Sequence, residues 1–160
     1  MRFFSSTSGR ACLSDWDQPL SVDGVLSLLL AIKRAAATAG TPVILLVLVR
    51  EAAPVPTGFL LNCLQGTLPA ILDCCEQLAL VVEGTGSERV AFGAALWTTA
   101  RSARRRTRTQ IFESLSTAFA YTQRFAPQDV IELQRRPLRQ RPKPNGHSTW
   151  FKTRIRLASS

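Results

Sequence analysis

The chain has 160 residues, of which 46% are hydrophobic and 19% are charged, a composition typical of one domain with a buried core. Its net charge of +9 is uneven: residues 1–100 carry six Lys or Arg against eight Asp or Glu, and residues 101–160 carry fourteen against three. No apolar run approaches the ~20 residues of a membrane-spanning helix, and residues 1–17 lack the apolar stretch of a signal peptide. The sequence therefore predicts a cytoplasmic protein without a transmembrane segment, whose C-terminal part has an anionic partner.

The first elements are a short strand and a long helix. The strand is expected at residues 10–16. In residues 21–40, Val25, Leu28 and Ile32 recur at helical spacing, a cap residue precedes them, and a glycine suited to a helix C-terminus ends the segment. We expect a helix there.

A continuous apolar run follows at residues 41–50 and predicts a strand covered on both faces, as in the centre of a parallel sheet. The next segment, residues 57–77, has an apolar face at helical spacing. Because a proline inside a helix costs about 3 kcal/mol, Pro69 predicts a kink or two short helices.

The second half repeats this alternation. Residues 78–84 predict another buried strand, and residues 87–104 predict a helix with Val90, Ala94 and Trp97 facing inward. An alternating strand nearer the sheet edge is expected at 107–114, and a last helix at 114–126 with Ser114 as its N-cap.

Strands and helices that alternate in this way predict a small layered α/β domain with a sheet of about four strands, formed by residues 1–127. Residues 128–160 are rich in proline and basic side chains and show little periodicity, so they predict a basic, disordered tail. Within it, residues 149–157 alternate in a way that also fits a short strand.

The cysteines and the single histidine do not suggest a metal site or a cofactor. Cys12, Cys63, Cys74 and Cys75 have no C-x-x-C spacing, and His147 lies in the predicted tail. Buried thiols are the favoured interpretation, with a reactive thiol as the alternative.

No catalytic arrangement is evident, so we do not expect an enzyme. A nucleophile and base pair would have to recruit His147 from the tail. Asp15 and Asp17 flank a tryptophan, and Glu83 ends a predicted strand. Turn formation and loop anchoring are more common roles for such carboxylates than acid–base chemistry.

Two junctions between a strand and a helix are candidate binding sites. Gly84, Gly86 and Ser87, with Arg89 nearby, could bind an anion at a helix N-terminus; the alternative is a tight turn with Ser87 as N-cap. At the other junction, Thr57 precedes Gly58 and is expected to cap the next helix. A phosphoryl group on Thr57 would lie at the positive end of that helix, which suggests a switch.

An arginine cluster lies at the end of the third helix. Phosphate contacts by its side chains and by the basic residues of 135–156 would produce salt-dependent binding of nucleic acid or anionic membrane. The alternative is a solvated helix end, where positive charge complements the helix dipole. The cluster contains Arg101, Arg104, Arg105, Arg106 and Arg108.

Residues 10–126 resemble a STAS-type domain of the SpoIIAA-like (anti-sigma-factor antagonist) group, particularly divergent versions of the myxobacterial kind. The resemblance is carried by "PLSVDGV" (19–25), "PVILLVLV" (42–49), "LALVVEG" (78–84) and "SERVAFGAAL" (87–96). It implies a mixed sheet with helices packed mainly on one face, and a non-catalytic regulatory domain that binds a protein partner in bacterial signalling.

The antagonists of that group carry a phosphorylatable Ser or Thr in an Asp-Ser-type motif after a central strand. The matching region here reads "EAAPVPTGF" (51–59), in which Thr57 is the only hydroxyl residue. The acidic neighbour of the motif is absent and prolines occupy the loop.

Overall fold

A computed structural model describes residues 4–103 and 107–140 of the chain, and the side chains of residues 7–103 and 107–135. These residues form five strands and five helices, which confirms the α/β class. The elements are β1 (Phe4–Ser8), β2 (Ala11–Trp16), α1 (Val22–Ala39), β3 (Val43–Val49), α2 (Gly58–Leu72), β4 (Cys75–Val82), α3 (Ser87–Ser102), β5 (Arg108–Phe112), α4 (Leu115–Thr122) and α5 (Pro127–Gln140).

The strands form one mixed sheet in the order β1-β2-β3-β4-β5. β1 pairs with β2 in an antiparallel hairpin, and the remaining neighbours are parallel. The hairpin turns at Gly9, which adopts a φ of +53°, a conformation that glycine reaches without a steric penalty. β1, which the sequence did not indicate, makes the sheet one strand larger than the expected four.

Helices cover both faces of the sheet. α1, α2 and α3 pack on one face, over alternate residues of the central strands such as Leu45 and Leu80. α4 and α5 pack on the other face, over the intervening residues such as Leu46 and Val81. Because both sets of side chains in β3 are apolar, all seven of its residues are buried, as the continuous apolar run predicts. Most helices lie on one face, as expected, and the second layer is an addition to that expectation.

The fold continues beyond residue 127, where the sequence predicted a tail. Pro127 begins α5, in the position where proline is favoured in a helix. Val130 and Leu133 lie three residues apart on one side of α5, and both are completely buried in the core that includes β2. The predicted boundary after residue 127 is therefore wrong for residues 128–140. The predicted strand at 149–157 lies outside the described residues.

Two helices differ from their predictions. α2 is a single helix that contains Pro69, so the alternative of two short helices is wrong. α3 turns another face to the core: Phe92, Leu96 and Ala100 are buried, whereas the expected inward residues are exposed. Both sides of α3 carry apolar residues, so periodicity alone did not distinguish them. Gly93 is buried at the boundary between these two sides and lies against β5, where a Cβ would meet the Ile111 side chain at an ordinary contact distance of 3.6 Å.

Candidate functional site

The candidate site lies at the carboxyl edge of the sheet, where the parallel strands end and α1, α2 and α3 begin. Ligands of open α/β sheets bind at this edge because the loops and helix N-termini converge there. Asp15, Arg50 and Glu83 lie at or just beyond the ends of three adjacent strands, β2, β3 and β4. By strand alternation, all three side chains are on the face covered by α4 and α5.

Arg50 joins the two carboxylates. Its Nε and Nη2 donate to Asp15 Oδ1 and Oδ2, both at 2.8 Å, and its Nη1 lies 3.5 Å from Glu83 Oε1. The Asp15 side chain is only 13% exposed. The hydrogen bond with Asp15 raises the pKa of Arg50 despite the opposing effect of burial. Because Arg50 pairs with both carboxylates, the arrangement favours a structural bridge between strand ends over proton transfer.

Arg89 organises the loop between β3 and α2. Its Nη2 donates to the carbonyl oxygens of Glu51 and Ala53, both at 2.6 Å. Of the predicted anion site, Gly84 and Gly86 form the turn before α3 with positive φ values of 89° and 137°. Arg89 lies in the first turn of α3 and against Gly84, and its guanidinium is occupied with the loop carbonyls.

The N-cap of α3 is Gly86, and it provides no side-chain hydrogen bond. Ser87 is the first residue of the helix itself, so the predicted Ser87 cap is wrong. Glu88 lies in the first turn, where its charge complements the helix dipole.

The first turn of α2 differs from its prediction in an informative way. Thr57 occupies the N-cap position, but its side chain makes no capping hydrogen bond. Gly58 adopts a φ of +56°, far from the helical value near −63°, so the first N–H groups do not meet the Thr57 hydroxyl. Thr57 is exposed, and Phe59, which the sequence analysis did not single out, has 75% of its surface exposed.

Two members of the arginine cluster are described. Arg101 and Arg108 are exposed, and the Arg101 guanidinium lies over the Trp97 ring, 4.6 Å from its centre. Arg104, Arg105 and Arg106 lie outside the described residues, as do the basic residues after position 140. Arg135 is exposed on α5.

The four cysteines are free thiols. Burial raises the pKa of Cys12 to about 12. The pKa of Cys75 is raised as well, by burial first and then by the neighbouring Cys12 and Cys74. A thiol with a raised pKa is a poor nucleophile at neutral pH, which favours the interpretation of these two residues as core residues. Within residues 4–103 and 107–140, no three His, Cys, Asp or Glu side chains are grouped to hold a metal ion.

No helix in the described part of the chain is both long enough and apolar enough to cross a membrane. No family model matches the chain, and no curated protein and no solved structure matches it. The surfaces of the molecule itself are therefore the basis for inferring its function.

Proposed function

We propose that the protein is a non-catalytic regulatory domain of STAS-like type, which binds a protein partner in bacterial signalling through the first turn of α2. The observation that supports this surface is the exposed Phe59 ring beside the exposed Thr57. An aromatic side chain in this position provides a large apolar contact area at a low cost in conformational entropy, which is typical of interface anchors.

The loop before this turn is held in place, which favours binding without prior rearrangement. Arg89 donates to two carbonyl oxygens of the loop. Ala53 and Pro56, which belong to the loop, are buried, although the loop lies at the surface. A surface that is ordered before binding loses less conformational entropy when the partner arrives.

Thr57 is the proposed switch of this surface. The first turn of α2 contains no acidic residue, so a phosphoryl group on Thr57 would lie near the positive end of the helix dipole without a repelling neighbour in that turn. Its negative charge would also change the chemistry of the surface around Phe59. Phosphorylation would thereby control partner binding.

The proposal is tested by capturing partners on the full chain and on the variant Phe59→Ser, then measuring the affinity of each captured partner after purification. Leu30→Ser is the matched control, because Leu30 is also an exposed apolar helix residue but lies on α1. We expect Phe59→Ser to weaken binding at least tenfold and Leu30→Ser to leave it unchanged. Equal binding to both variants would contradict the proposal.

A second candidate function is polyanion binding by the arginine cluster and the basic residues of 135–156. The pair of Arg101 and Trp97 supports it, because an exposed ring beside a guanidinium suits a base and its phosphate. Binding of mixed-sequence DNA or anionic vesicles should then weaken steeply between low and moderate salt. Salt-independent binding, or none at low salt, would exclude it.

A further inference from the structure

One side of α3 forms an apolar surface with the neighbouring edge strand. Val90, Gly93 and Trp97 follow one another at intervals of three and four residues, so they share one side of the helix. Gly93 lies against Ile111 of β5. Val90, Trp97 and Ile111 are 73%, 36% and 45% exposed. We call the surface formed by these four residues the edge patch.

The edge patch adjoins a strand edge that is open in the described structure. β5 pairs with β4 on one side, and among the described residues no strand pairs with its other side. An edge strand presents unpaired N–H and C=O groups, which can pair with an added strand. The apolar patch and the backbone edge thus offer the two components of strand addition, a contact surface for side chains and main-chain hydrogen bonds.

Charge around this edge has one predominant sign. Arg101 lies over Trp97 at the end of α3, and the side of α3 between Val90 and Arg101 carries no carboxylate. Glu88, at 100° per residue, is on the opposite side of the helix. Arg108 is in register with Gln77 and so projects from β5 toward the face covered by α4 and α5. The acidic residue that follows the strand, Glu113, lies beyond its end.

We propose that β5 accepts an extended, acidic segment of a partner protein as a sixth strand. Its apolar residues would contact the edge patch, and the residues between them, which point to the opposite face, would place carboxylates near Arg108. A second copy of this chain is a poorer occupant, because its own Arg108 would meet the Arg108 of the first copy with like charge. A nucleic acid is also a poorer occupant, because it would leave the backbone N–H and C=O groups of the strand edge unpaired. This site is separate from Phe59, so it does not depend on the proposed α2 surface.

The experiment is hydrogen exchange of the full chain with and without a blocked synthetic peptide of about eight residues, a typical strand length, in which Val and Glu alternate. We expect the peptide to slow exchange in residues 108–112. The variant Ile111→Lys, which adds charge to the edge, should abolish this protection. Leu26→Lys is the matched control, because Leu26 is 48% exposed on α1, and it should preserve the protection.

Two further ligands test the chemistry of the site. A peptide in which Val and Lys alternate should bind at least tenfold more weakly, because its charged side chains meet Arg108 with like charge. Equal binding of the two peptides would overturn the acidic specificity. Protection of residues 108–112 by a mixed-sequence oligonucleotide but not by the Val–Glu peptide would show that the edge serves a polyanion. Slow exchange of residues 108–112 in the full chain before any ligand is added would mean that residues 141–160 or a second copy already occupies the edge, and it would overturn the proposal.

Discussion

Arg50 binds Asp15 through two hydrogen bonds of 2.8 Å and thereby joins the ends of β3 and β2, which are 35 positions apart in the chain. Both side chains are largely buried, and the bond is charge-assisted. We expect Asp15→Asn to lower the free energy of unfolding by about 2 kcal/mol, because the guanidinium would lose its charged partner in a partly desolvated position. Urea denaturation followed by circular dichroism measures this change.

Asp17→Asn is the control for that experiment. Asp17 is exposed, and its charge contributes less than that of Asp15 or Glu83 to the raised pKa of Arg50. Its replacement should change stability by less than about 0.5 kcal/mol. Equal losses in both variants would show that overall charge, and not the bond between Asp15 and Arg50, stabilises this edge.

The contribution of α5 to the fold can be measured with two neighbouring residues. Leu133→Ala should destabilise the protein by about 2–5 kcal/mol, because Leu133 is completely buried and its loss leaves a cavity. Ile131→Ala, at an exposed position of the same helix, should cost less than about 1 kcal/mol. Thermal unfolding of both variants provides the comparison. A neutral Leu133→Ala would mean that α5 is not part of the cooperative unit.

The turn between β1 and β2 depends on glycine for two separate reasons. Gly9 has a φ of +53°, and a Cβ there would collide with the Asp129 carboxylate, which accepts a hydrogen bond from the Arg10 N–H. Gly40 has a similar φ of +67° but open space around it. We expect Gly9→Ala to lower the melting temperature more than Gly40→Ala. Both variants strain the backbone, but only Gly9→Ala also causes a collision with a side chain. Similar losses would assign the whole effect to the backbone.

Stability should fall at alkaline pH because of the buried thiols. Burial raises the pKa of Cys12 from its usual 9.0 to about 12, so the unfolded chain releases this proton at a lower pH than the folded protein does. The contribution is fully present below about pH 9 and is lost as the pH rises toward 12. Urea denaturation at several pH values should show a shallower decline in Cys12→Ala than in the half-buried control Cys63→Ala. Equal slopes would contradict this assignment.

The central elements could be predicted from sequence because their signals are local. β3 is apolar at every position, and a strand of that kind fits only between two covered faces. Ser114, the predicted N-cap of α4, accepts a hydrogen bond from the Thr117 N–H, and Ser21 caps α1 in the same way through the Gly24 N–H. Such patterns depend on neighbours a few residues away, so the rest of the fold does not need to be known.

The candidate surfaces were harder to predict because they depend on contacts between distant segments. Arg89 was a candidate for an anion site, and the sequence did not indicate that the folded chain directs it to the carbonyl oxygens of a loop 36 to 38 positions away. Phe59 resembles a core residue in sequence, and its exposure follows from the packing of α2 through Leu64, Leu68 and Ile71. The predicted inward face of α3, with Val90 and Trp97, became the edge patch for the same reason.

The sequence by itself determined the α/β class, most of the element order and the concentration of positive charge after residue 100. Periodicity, caps and composition are local properties, and they remain the same whichever way the elements pack. The tertiary structure alone decided which side of α3 meets the sheet, that α5 covers β1 and β2, and that Arg50 joins Asp15 to Glu83. Each of these depends on close packing or charge pairing between distant residues, which a one-dimensional pattern does not encode.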